Sequence, residues 1–313
     1  MNNAGGYFVS VVIPVFNEEE SLPELYSKLT AMLERTAAGH ELIFVDDGST
    51  DRSPGIVLSL RERDRRVKLI SFNRNYGKSP ALSEGFKAAR GDVVVTIDAD
   101  LQDNPDEIPG MIRKLDEGYD LISGWKASRK DPFTKTFPSK VFNFISSMVT
   151  GIKLHDINCG LKVYRREVVK RINVYGELHR VIPVLAGWEG FRIGEKSVTH
   201  SHRRYGKSKY GMSRFLNGIF DLATVMFITR RSTTPMHFFG RMAFGFLAIG
   251  GAINLYFLFQ WIVGRGLHVR PLMVVGLVMI VIAIQIFSIG LLAEMFSAGS
   301  ERTFSYREYR IED

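Results

Sequence analysis

Two long segments toward the C-terminal end of the sequence contain no charged residue, and they constrain the fold more than any other feature. They run from Met242 to Val263 and from Leu272 to Ala293. As α-helices, segments of about 22 residues are long enough to cross ~30 Å of hydrocarbon. The alternative, two buried helices of a soluble core, requires a surrounding domain that the short remaining tail cannot form. The sequence therefore predicts two transmembrane helices.

The connection between these segments, residues 264–271, is short, so the predicted helices form a hairpin with both chain ends on one side of the membrane. More arginines precede the hairpin than occupy its tip, namely Arg230, Arg231 and Arg241 against Arg265 and Arg270. Because positive charge favours the cytoplasmic side, the expected location is the inner (plasma) membrane, with the N-terminal domain in the cytoplasm. The first apolar run of the chain is typical of a strand, and no signal peptide is predicted.

From Phe8 to Gly124, short β-branched runs alternate with helical stretches. The runs are VSVVIPV, ELIFVDD, VKLISF, DVVVTID and DLISG. Strands separated by helices predict an α/β domain with a mostly parallel sheet. Residues 49–51 and 104–106 offer helix caps ahead of apolar positions.

The segment just before the hairpin has the pattern of a helix that lies on a membrane surface. It places Phe215, Ile219, Leu222 and Met226 on one helical face and polar residues on the other. Because it leads directly into an arginine pair, an interfacial helix is the favoured interpretation. An earlier amphipathic stretch, residues 141–152, fits packing on the sheet equally well.

Carboxylates follow two of the predicted strands at the point where each strand ends, which is where parallel α/β sheets bind ligands. Asp46 and Asp47 follow the second strand, although an Asp-Gly turn would explain them too. Asp98 and Asp100 end the fourth strand, and residues two apart in an extended chain point to one side. Two such carboxylates repel unless a cation lies between them, and oxygen ligands suit Mg²⁺ or Mn²⁺. A D-x-D string alone is also common in turns.

Several classes of protein are disfavoured by what the sequence lacks. The first strand has no glycine-rich turn and no P-loop string occurs, which argues against a dinucleotide-binding dehydrogenase and a P-loop nucleotidase. The single cysteine, Cys159, precludes an intramolecular disulfide and suits a reducing compartment.

The formal net charge of +8 indicates an anionic partner, but it does not by itself separate nucleic acid from a membrane or nucleotide phosphates.

Four motifs occur in a recognisable order: VSVVIPVFNEEESL, VDDGSTD, RNYGK and GDVVVTIDADLQDNP. Their order and spacing resemble the GT-A glycosyltransferases of family 2. The polyprenyl-phosphate branch, which includes dolichol-phosphate mannose synthases and bacterial undecaprenyl-phosphate glucosyltransferases, is the most similar. The resemblance covers about Val9 to Arg231 and implies a GT-A, Rossmann-like, mostly parallel sheet followed by interfacial helices and the hairpin. It also implies inverting, metal-dependent transfer of a sugar from a nucleotide-sugar, with a UDP-sugar favoured, to a polyprenyl phosphate.

The same resemblance assigns roles to residues at the strand ends. Those expected to bind the donor nucleotide are Pro14, Phe16, Glu18, Val45, Asp47, Asp98, Ala99, Asp100 and Gln102. Of these, Asp98, Asp100 and Gln102 are expected to hold the Mg²⁺ or Mn²⁺ ion. Asp98, Asp100 and Asp156 are the expected catalytic residues.

Two later segments extend the resemblance to the acceptor. HDINCGLK, residues 155–162, and HRRYGKSK, residues 202–209, are similar to motifs of the mannose synthases. They make Arg203 and Lys209 candidates for binding the acceptor phosphate, with general membrane-surface basicity as the other explanation. Lys126 and Arg129 occupy the place of a second basic pair near that phosphate.

One position departs from the pattern of some bacterial relatives. They carry an aspartate, proposed as a base, where this sequence has Gly160. A phosphate monoester with a second pKa of about 6 is largely deprotonated at neutral pH and can act as the nucleophile without a base. Asp156 would then orient donor or acceptor, or serve as a structural cap.

The predicted organisation is a cytoplasmic GT-A catalytic domain over residues 1–211, an interfacial helix over 212–234, two transmembrane helices over 235–297 and a cytoplasmic tail over 298–313. The implied partners are a nucleotide-sugar, a polyprenyl-phosphate lipid and the membrane, without nucleic acid. A homo-oligomer, with a tetramer as the candidate state, is implied as well.

Two other functions remain open from the sequence. One is a transferase that elongates a polysaccharide or glycolipid, although processive members have more membrane helices and a Q-x-x-R-W string that is absent here. The other is a non-catalytic membrane module that senses nucleotide-sugars.

Overall fold

The computed structural model describes residues 6–126, 154–176, 178–199, 235–264 and 270–300. The chain divides into two compact units, Met1–Val225 and Met226–Asp313. The predicted interfacial helix at residues 212–234 lies outside the described residues, and so does the predicted boundary at residue 211.

The N-terminal unit alternates strands and helices along the chain, as the sequence predicts. Its strands are β1 (Phe8–Val15), β2 (Gly39–Asp46), β3 (Val67–Ser71), β4 (Val93–Thr96), β5 (Leu121–Trp125), β6 (Lys162–Arg165) and β7 (Ile193–Ser197). Its helices are α1 (Leu22–Thr36), α2 (Ser53–Arg63), α3 (Lys78–Ala88), α4 (Ile108–Leu115), α5 (Arg166–Arg171) and α6 (Ile182–Trp188). Short 3₁₀ turns span Pro105–Glu107 and Leu178–Val181.

The strands form one mixed sheet with the order β3-β2-β1-β4-β6-β5-β7. β6 runs antiparallel to β4 and β5, and the other pairings are parallel, which confirms the predicted mostly parallel sheet. β2 and β3 extend from one side of β1, whereas β4 lies on the other. This reversal opens a crevice beyond the carboxyl ends of β1 and β4, the usual ligand position in such sheets.

Both faces of the central strands are covered by apolar side chains. On β1, Val11 and Ile13 belong to a core that includes Leu25 and Leu29 of α1. Val12 faces the opposite core, which includes Phe86 of α3. Burial on both faces explains why β1 and β4 read as continuous apolar runs rather than alternating ones.

The helix caps predicted from the sequence form only in part. Asn104 accepts a hydrogen bond from the Asp106 amide at 3.1 Å, which confirms that cap. Asp51 accepts one from the Ser53 amide at 3.0 Å at the start of α2. Ser49 is not a cap, because its hydroxyl accepts from the Asn17 amide at 2.9 Å.

The C-terminal unit contains two long helices, α7 (Pro235–Ile262) and α8 (Pro271–Ser300). The parts long and apolar enough to cross a membrane are Met236–Ile262 and Pro271–Met295. α8 extends to Ser300, three residues into the segment predicted as the tail. The helices leave large apolar side chains exposed, including Phe244, Leu255, Phe259 and Ile262. An apolar outer surface suits hydrocarbon rather than water.

Small residues and one carboxylate join these two helices. A Cβ atom on Gly250 of α7 would lie 2.6 Å from the carbonyl oxygen of Gly276 on α8. The missing side chain therefore lets the two backbones approach closely. The Glu294 carboxylate of α8 accepts a hydrogen bond from the Met236 amide of α7 at 3.0 Å, at the end where α7 begins.

Candidate functional site

Hydrogen bonds join the loop after β1 to the loop after β2. Asn17 has a φ of 54°, and its side-chain oxygen accepts from the Thr50 amide at 2.8 Å. The Glu18 amide donates to the Ser53 hydroxyl at 3.0 Å. The loop that carries Phe16 and Glu18 is thereby fixed at the edge of the crevice. Phe16 and Glu18, like Pro14, are half-buried.

Val45 is the predicted donor residue whose position does not fit a direct contact. It is 0% exposed and packs in the core shared with Val12 and Phe86. The resemblance implicates Val45 through its place in the V-D-D string. In the parallel sheet, that place is covered from both sides by packed side chains.

The two aspartates after Val45 bind backbone and hydroxyl groups of neighbouring segments. Asp46 accepts from the Ser71 hydroxyl at 2.8 Å. Asp47 accepts from the amides of Tyr76 at 2.7 Å and Gly77 at 2.9 Å. Burial raises the pKa of Asp47, although these two amides oppose the rise. Asp47 thus positions the RNYGK segment, a role that was not predicted.

The position of Gly48, in the loop after β2, requires a glycine. Its φ is +70°, and a Cβ there would lie 2.7 Å from the Asn75 nitrogen. The RNYGK segment can therefore lie against the loop after β2 only when residue 48 is glycine.

The DAD segment, Asp98-Ala99-Asp100, differs from its predicted extended geometry. β4 ends at Thr96, a turn follows at Ala99 and Asp100, and Leu101 has a φ of 59°, so the segment does not remain extended. The argument that alternate residues point to one side therefore does not apply. The Asp98 side chain is 34% exposed, whereas Asp100 is 9% exposed and accepts from the Gln102 amide at 3.2 Å. Ala99, between them, is buried.

Lys78 forms an ion pair with Asp98, and sequence reasoning assigned it no role. It is the first residue of α3, and it follows Gly77, whose φ is 97°. The signal was present in the RNYGK motif, but only the structure shows that its lysine reaches the DAD segment.

The turn before β6 lies against the same carboxylate. A Cβ atom on Gly160 would lie 2.5 Å from Asp98 Oδ2, and the Thr96 hydroxyl donates to the Gly160 carbonyl oxygen at 3.0 Å. Lys162 is 3% exposed and donates to the Cys159 carbonyl oxygen. The absence of an aspartate at position 160 thus has a steric reason: in this backbone, the space that a side chain would fill is occupied by Asp98.

Asp156 is buried, and the described contacts hold its backbone. Its amide donates to Glu195 Oε1 at 3.0 Å, and the Ser123 hydroxyl donates to its carbonyl oxygen at 3.4 Å. Glu195 also binds His155, whose ring stacks on Trp125 with 4.3 Å between centroids. These contacts fix the turn that leads to Gly160.

Lys126 pairs with Asp103 at 3.1 Å, and that carboxylate was not among the predicted site residues. Burial disfavours the charged form of Lys126, but Asp103 and other carboxylates outweigh it and raise the lysine pKa. Burial also raises the pKa of Cys159 to about 12, so this thiol is protonated at neutral pH. Arg129, Arg203 and Lys209, the other predicted acceptor residues, lie outside the described residues.

The oxygen-only donor set at the DAD segment fits a hard divalent cation. Within the described ranges, no three His, Cys, Asp or Glu side chains are grouped so as to hold a metal. Asp98 and Asp100 offer carboxylate oxygens, the ligand type of Mg²⁺ and Mn²⁺, which keep several positions for water and substrate phosphates. Such an ion would depend on a bound diphosphate for part of its coordination.

Comparisons with known proteins agree with this geometry. Residues 10–172 match the family described as Glycosyl transferase family 2. The dodecaprenyl-phosphate galacturonate synthase of Rhizobium johnstonii is 39% identical over 298 residues, 92% of this chain and 87% of that protein. The undecaprenyl-phosphate 4-deoxy-4-formamido-L-arabinose transferase of Shewanella sediminis is 38% identical over 290 residues, 92% of this chain and 86% of that protein.

A solved structure supports the fold. Glucosyl-3-phosphoglycerate synthase from Mycobacterium tuberculosis, in complex with Mn²⁺, UDP-glucose and glycerol 3-phosphate, superposes with a TM-score of 0.54. The two are 22% identical over 70% of this chain and 80% of that chain. This likeness confirms the predicted GT-A architecture.

Proposed function

Since this chain belongs to glycosyl transferase family 2, we propose that it transfers a sugar from a nucleotide-sugar to the phosphate of a polyprenyl lipid. Two relatives that span most of the chain are named for transfer to dodecaprenyl and undecaprenyl phosphate. The observation that carries the proposal is the joint presence of acidic strand ends at the sheet crevice and two helices apolar enough to span a membrane. A soluble acceptor would not require such helices.

The donor half of the proposed site comprises Pro14, Phe16 and Glu18 beside the nucleotide, with Asp47 fixing the neighbouring loop. Asp98, Asp100 and Gln102 would hold Mg²⁺ or Mn²⁺ together with the donor diphosphate. When bound, the ion supplies positive charge that stabilises the departing nucleoside diphosphate. A UDP-sugar is favoured, and the M. tuberculosis synthase of similar fold was solved with Mn²⁺ and UDP-glucose.

The acceptor half is proposed to contain Arg203 and Lys209, with Arg129 nearby. Lys126 pairs with Asp103, which favours a role in fixing the loop after β4. The lipid phosphate attacks the anomeric carbon in a single displacement, so the configuration inverts. Because a phosphate monoester is deprotonated at neutral pH, the absence of a carboxylate at Gly160 leaves the nucleophile intact. Asp156 helps to orient the donor sugar.

The proposed organisation places the catalytic domain and the membrane helices in one chain. Residues 1–211 form a cytoplasmic catalytic domain, residues 212–234 an interfacial helix, and residues 235–297 a hairpin in the inner (plasma) membrane. Confining enzyme and lipid to one membrane raises the effective concentration of the acceptor. A homo-oligomer is part of the proposal.

A product assay tests this function. Purified full-length protein in detergent micelles is incubated with undecaprenyl phosphate, Mn²⁺ or Mg²⁺, and each of a panel of labelled nucleotide-sugars. We expect one donor to yield a lipid-linked monosaccharide that is released by mild acid, together with a nucleoside diphosphate. Label that instead extends a glycolipid would favour the elongating transferase. Nucleotide-sugar binding without any transfer would favour the sensing module.

A further inference from the structure

We propose that Lys78 acts as a gate in the donor-free enzyme, holding Asp98 and keeping that carboxylate from a divalent cation until the donor binds. The inference rests on the proposed function, since it concerns the metal site of that reaction. The Lys78 ammonium forms an ion pair with Asp98 Oδ1. Asp98 is also one of only two DAD carboxylates that could bind the ion.

The backbone of Lys78 is fixed, so that only its side chain can move away from Asp98. The Asp47 carboxylate accepts hydrogen bonds from the amides of the two residues just before Lys78, at 2.7 and 2.9 Å. Ser79, Ala81 and Leu82 of α3 are buried and anchor the helix that follows. The Lys78 side chain itself is 28% exposed. It therefore has a solvent-accessible path to a new partner without movement of the helix.

Asp98 is confined on its other side by Gly160. A Cβ on Gly160 would lie 2.5 Å from Asp98 Oδ2, and the Gly160 carbonyl oxygen is held by the Thr96 hydroxyl at 3.0 Å. The carboxylate thus lies between a fixed backbone segment and the Lys78 ammonium. Because the ammonium already lies against Asp98 Oδ1, a cation that approaches this carboxylate meets the ammonium as a direct competitor.

Charge decides which competitor prevails. Without donor, the Lys78 ammonium neutralises Asp98 and leaves Asp100 as the remaining acidic ligand of the segment, too few for tight binding of a hard cation. A diphosphate supplies further oxygen ligands and negative charge, which attract both the metal and the ammonium. Donor binding therefore releases Asp98, and donor and metal strengthen each other's binding.

The test measures Mn²⁺ binding by the full-length protein in detergent micelles, using the electron paramagnetic resonance signal of free Mn²⁺ without donor. Lys78→Gln removes the charge and should bind Mn²⁺ about tenfold more tightly than wild type, the scale of one partly exposed charged contact. Lys78→Arg retains the charge and should bind as weakly as wild type. Lys87→Gln is the matched control, because Lys87 lies on the same helix and pairs with Glu84 at 2.6 Å away from the DAD segment.

The same titrations with UDP present complete the experiment. We expect UDP to tighten Mn²⁺ binding by wild type and to narrow the difference from Lys78→Gln. Circular dichroism checks the fold, and Lys78→Ala replaces the Gln variant if the latter does not fold. If the charge-free variant binds Mn²⁺ no more tightly than wild type without donor, the gate is rejected while the proposed function stands. If no protein binds Mn²⁺ even with UDP, the metal-dependent reaction is rejected and the gate with it.

Discussion

Two kinds of contact occur both at the strand ends of the N-terminal unit and in the helix pair of the C-terminal unit. They serve a different purpose in each. In both regions, a carboxylate accepts hydrogen bonds from backbone amides, as Asp47 and Glu294 do. In both, a glycine lets another group approach closely, as Gly160 and Gly250 do. At the strand ends these contacts position charged side chains, whereas in the helix pair they bring two helix backbones close together. Changes at the first region should therefore alter the reaction, and changes at the second should alter stability.

The largest effect is expected from Gly160→Ala. Its Cβ would lie 2.5 Å from Asp98 Oδ2 and would displace that carboxylate, so we expect kcat/KM for sugar transfer to fall about a hundredfold. The midpoint of thermal unfolding should change little. Gly55→Ala is the control, because nothing lies within 4 Å of its added Cβ. Wild-type kcat/KM in Gly160→Ala would show that the close approach to Asp98 is unimportant.

In the helix pair, Gly250→Ala should lower stability and leave the reaction unchanged. The added methyl would lie 2.6 Å from the Gly276 carbonyl oxygen, so we expect a loss of up to about 3 kcal/mol in the free energy of unfolding in detergent. Activity per folded molecule should be retained. The adjacent Gly251→Ala adds a methyl with nothing within 4 Å and should leave stability unchanged. Equal stability of the two variants would contradict the close packing at Gly250.

Lys162 predicts a pH dependence of stability. Burial lowers its pKa from 10.5 to about 8. Between these values the unfolded chain binds more protons than the folded chain, so the free energy of unfolding rises with pH across this window. Lys162→Met removes the cost of burying the charge and should be more stable than wild type at pH 7, by up to about 3 kcal/mol, with the difference shrinking by pH 10. Chemical unfolding at both pH values measures this, with the exposed Lys28→Met as control. A difference that is independent of pH would refute the lowered pKa.

The smallest effect is expected from Glu294→Gln. The carboxylate interacts with the first turn of α7 through the Met236 amide, and neutralising it should cost about 1 kcal/mol of stability. Thermal unfolding in detergent detects this as a small shift, with sugar transfer unchanged. Ser288→Ala, which removes a hydroxyl bonded only within α8 to Ile284 among the described contacts, is the comparison. A larger loss of transfer than of stability would link this residue to the reaction.

Sequence periodicity was sufficient for the sheet and the helix pair, because both depend on long apolar patterns. The five strands from Phe8 to Gly124 are all present, and the two predicted spans lie within α7 and α8 except for Val263, one residue past the end of α7. β6 and β7 were not predicted, since they contain only four and five residues and include lysines and glutamate. Short strands whose residues are mixed in polarity leave no clear alternation.

The candidate site was predicted by residue type but not by contact. The DAD carboxylates were found, whereas the extended geometry predicted for them was wrong because the chain turns at Ala99 and Asp100. Lys78 and Asp98 are 20 residues apart, and Asp156 and Glu195 are 39 apart. No local pattern reports such pairs, because they depend on how the strand ends meet in the folded sheet.

We propose that the DAD carboxylates at the sheet crevice hold the metal ion that transfer of sugar to a lipid phosphate requires. The most direct measurement is transfer of labelled sugar to undecaprenyl phosphate by Asp100→Asn, with and without EDTA. Asp106→Asn, at an exposed carboxylate just outside the segment, serves as control. We expect Asp100→Asn to lose about a hundredfold in rate with its circular dichroism unchanged, and EDTA to abolish transfer by wild type and control. Full activity of Asp100→Asn in metal-free buffer would contradict the account.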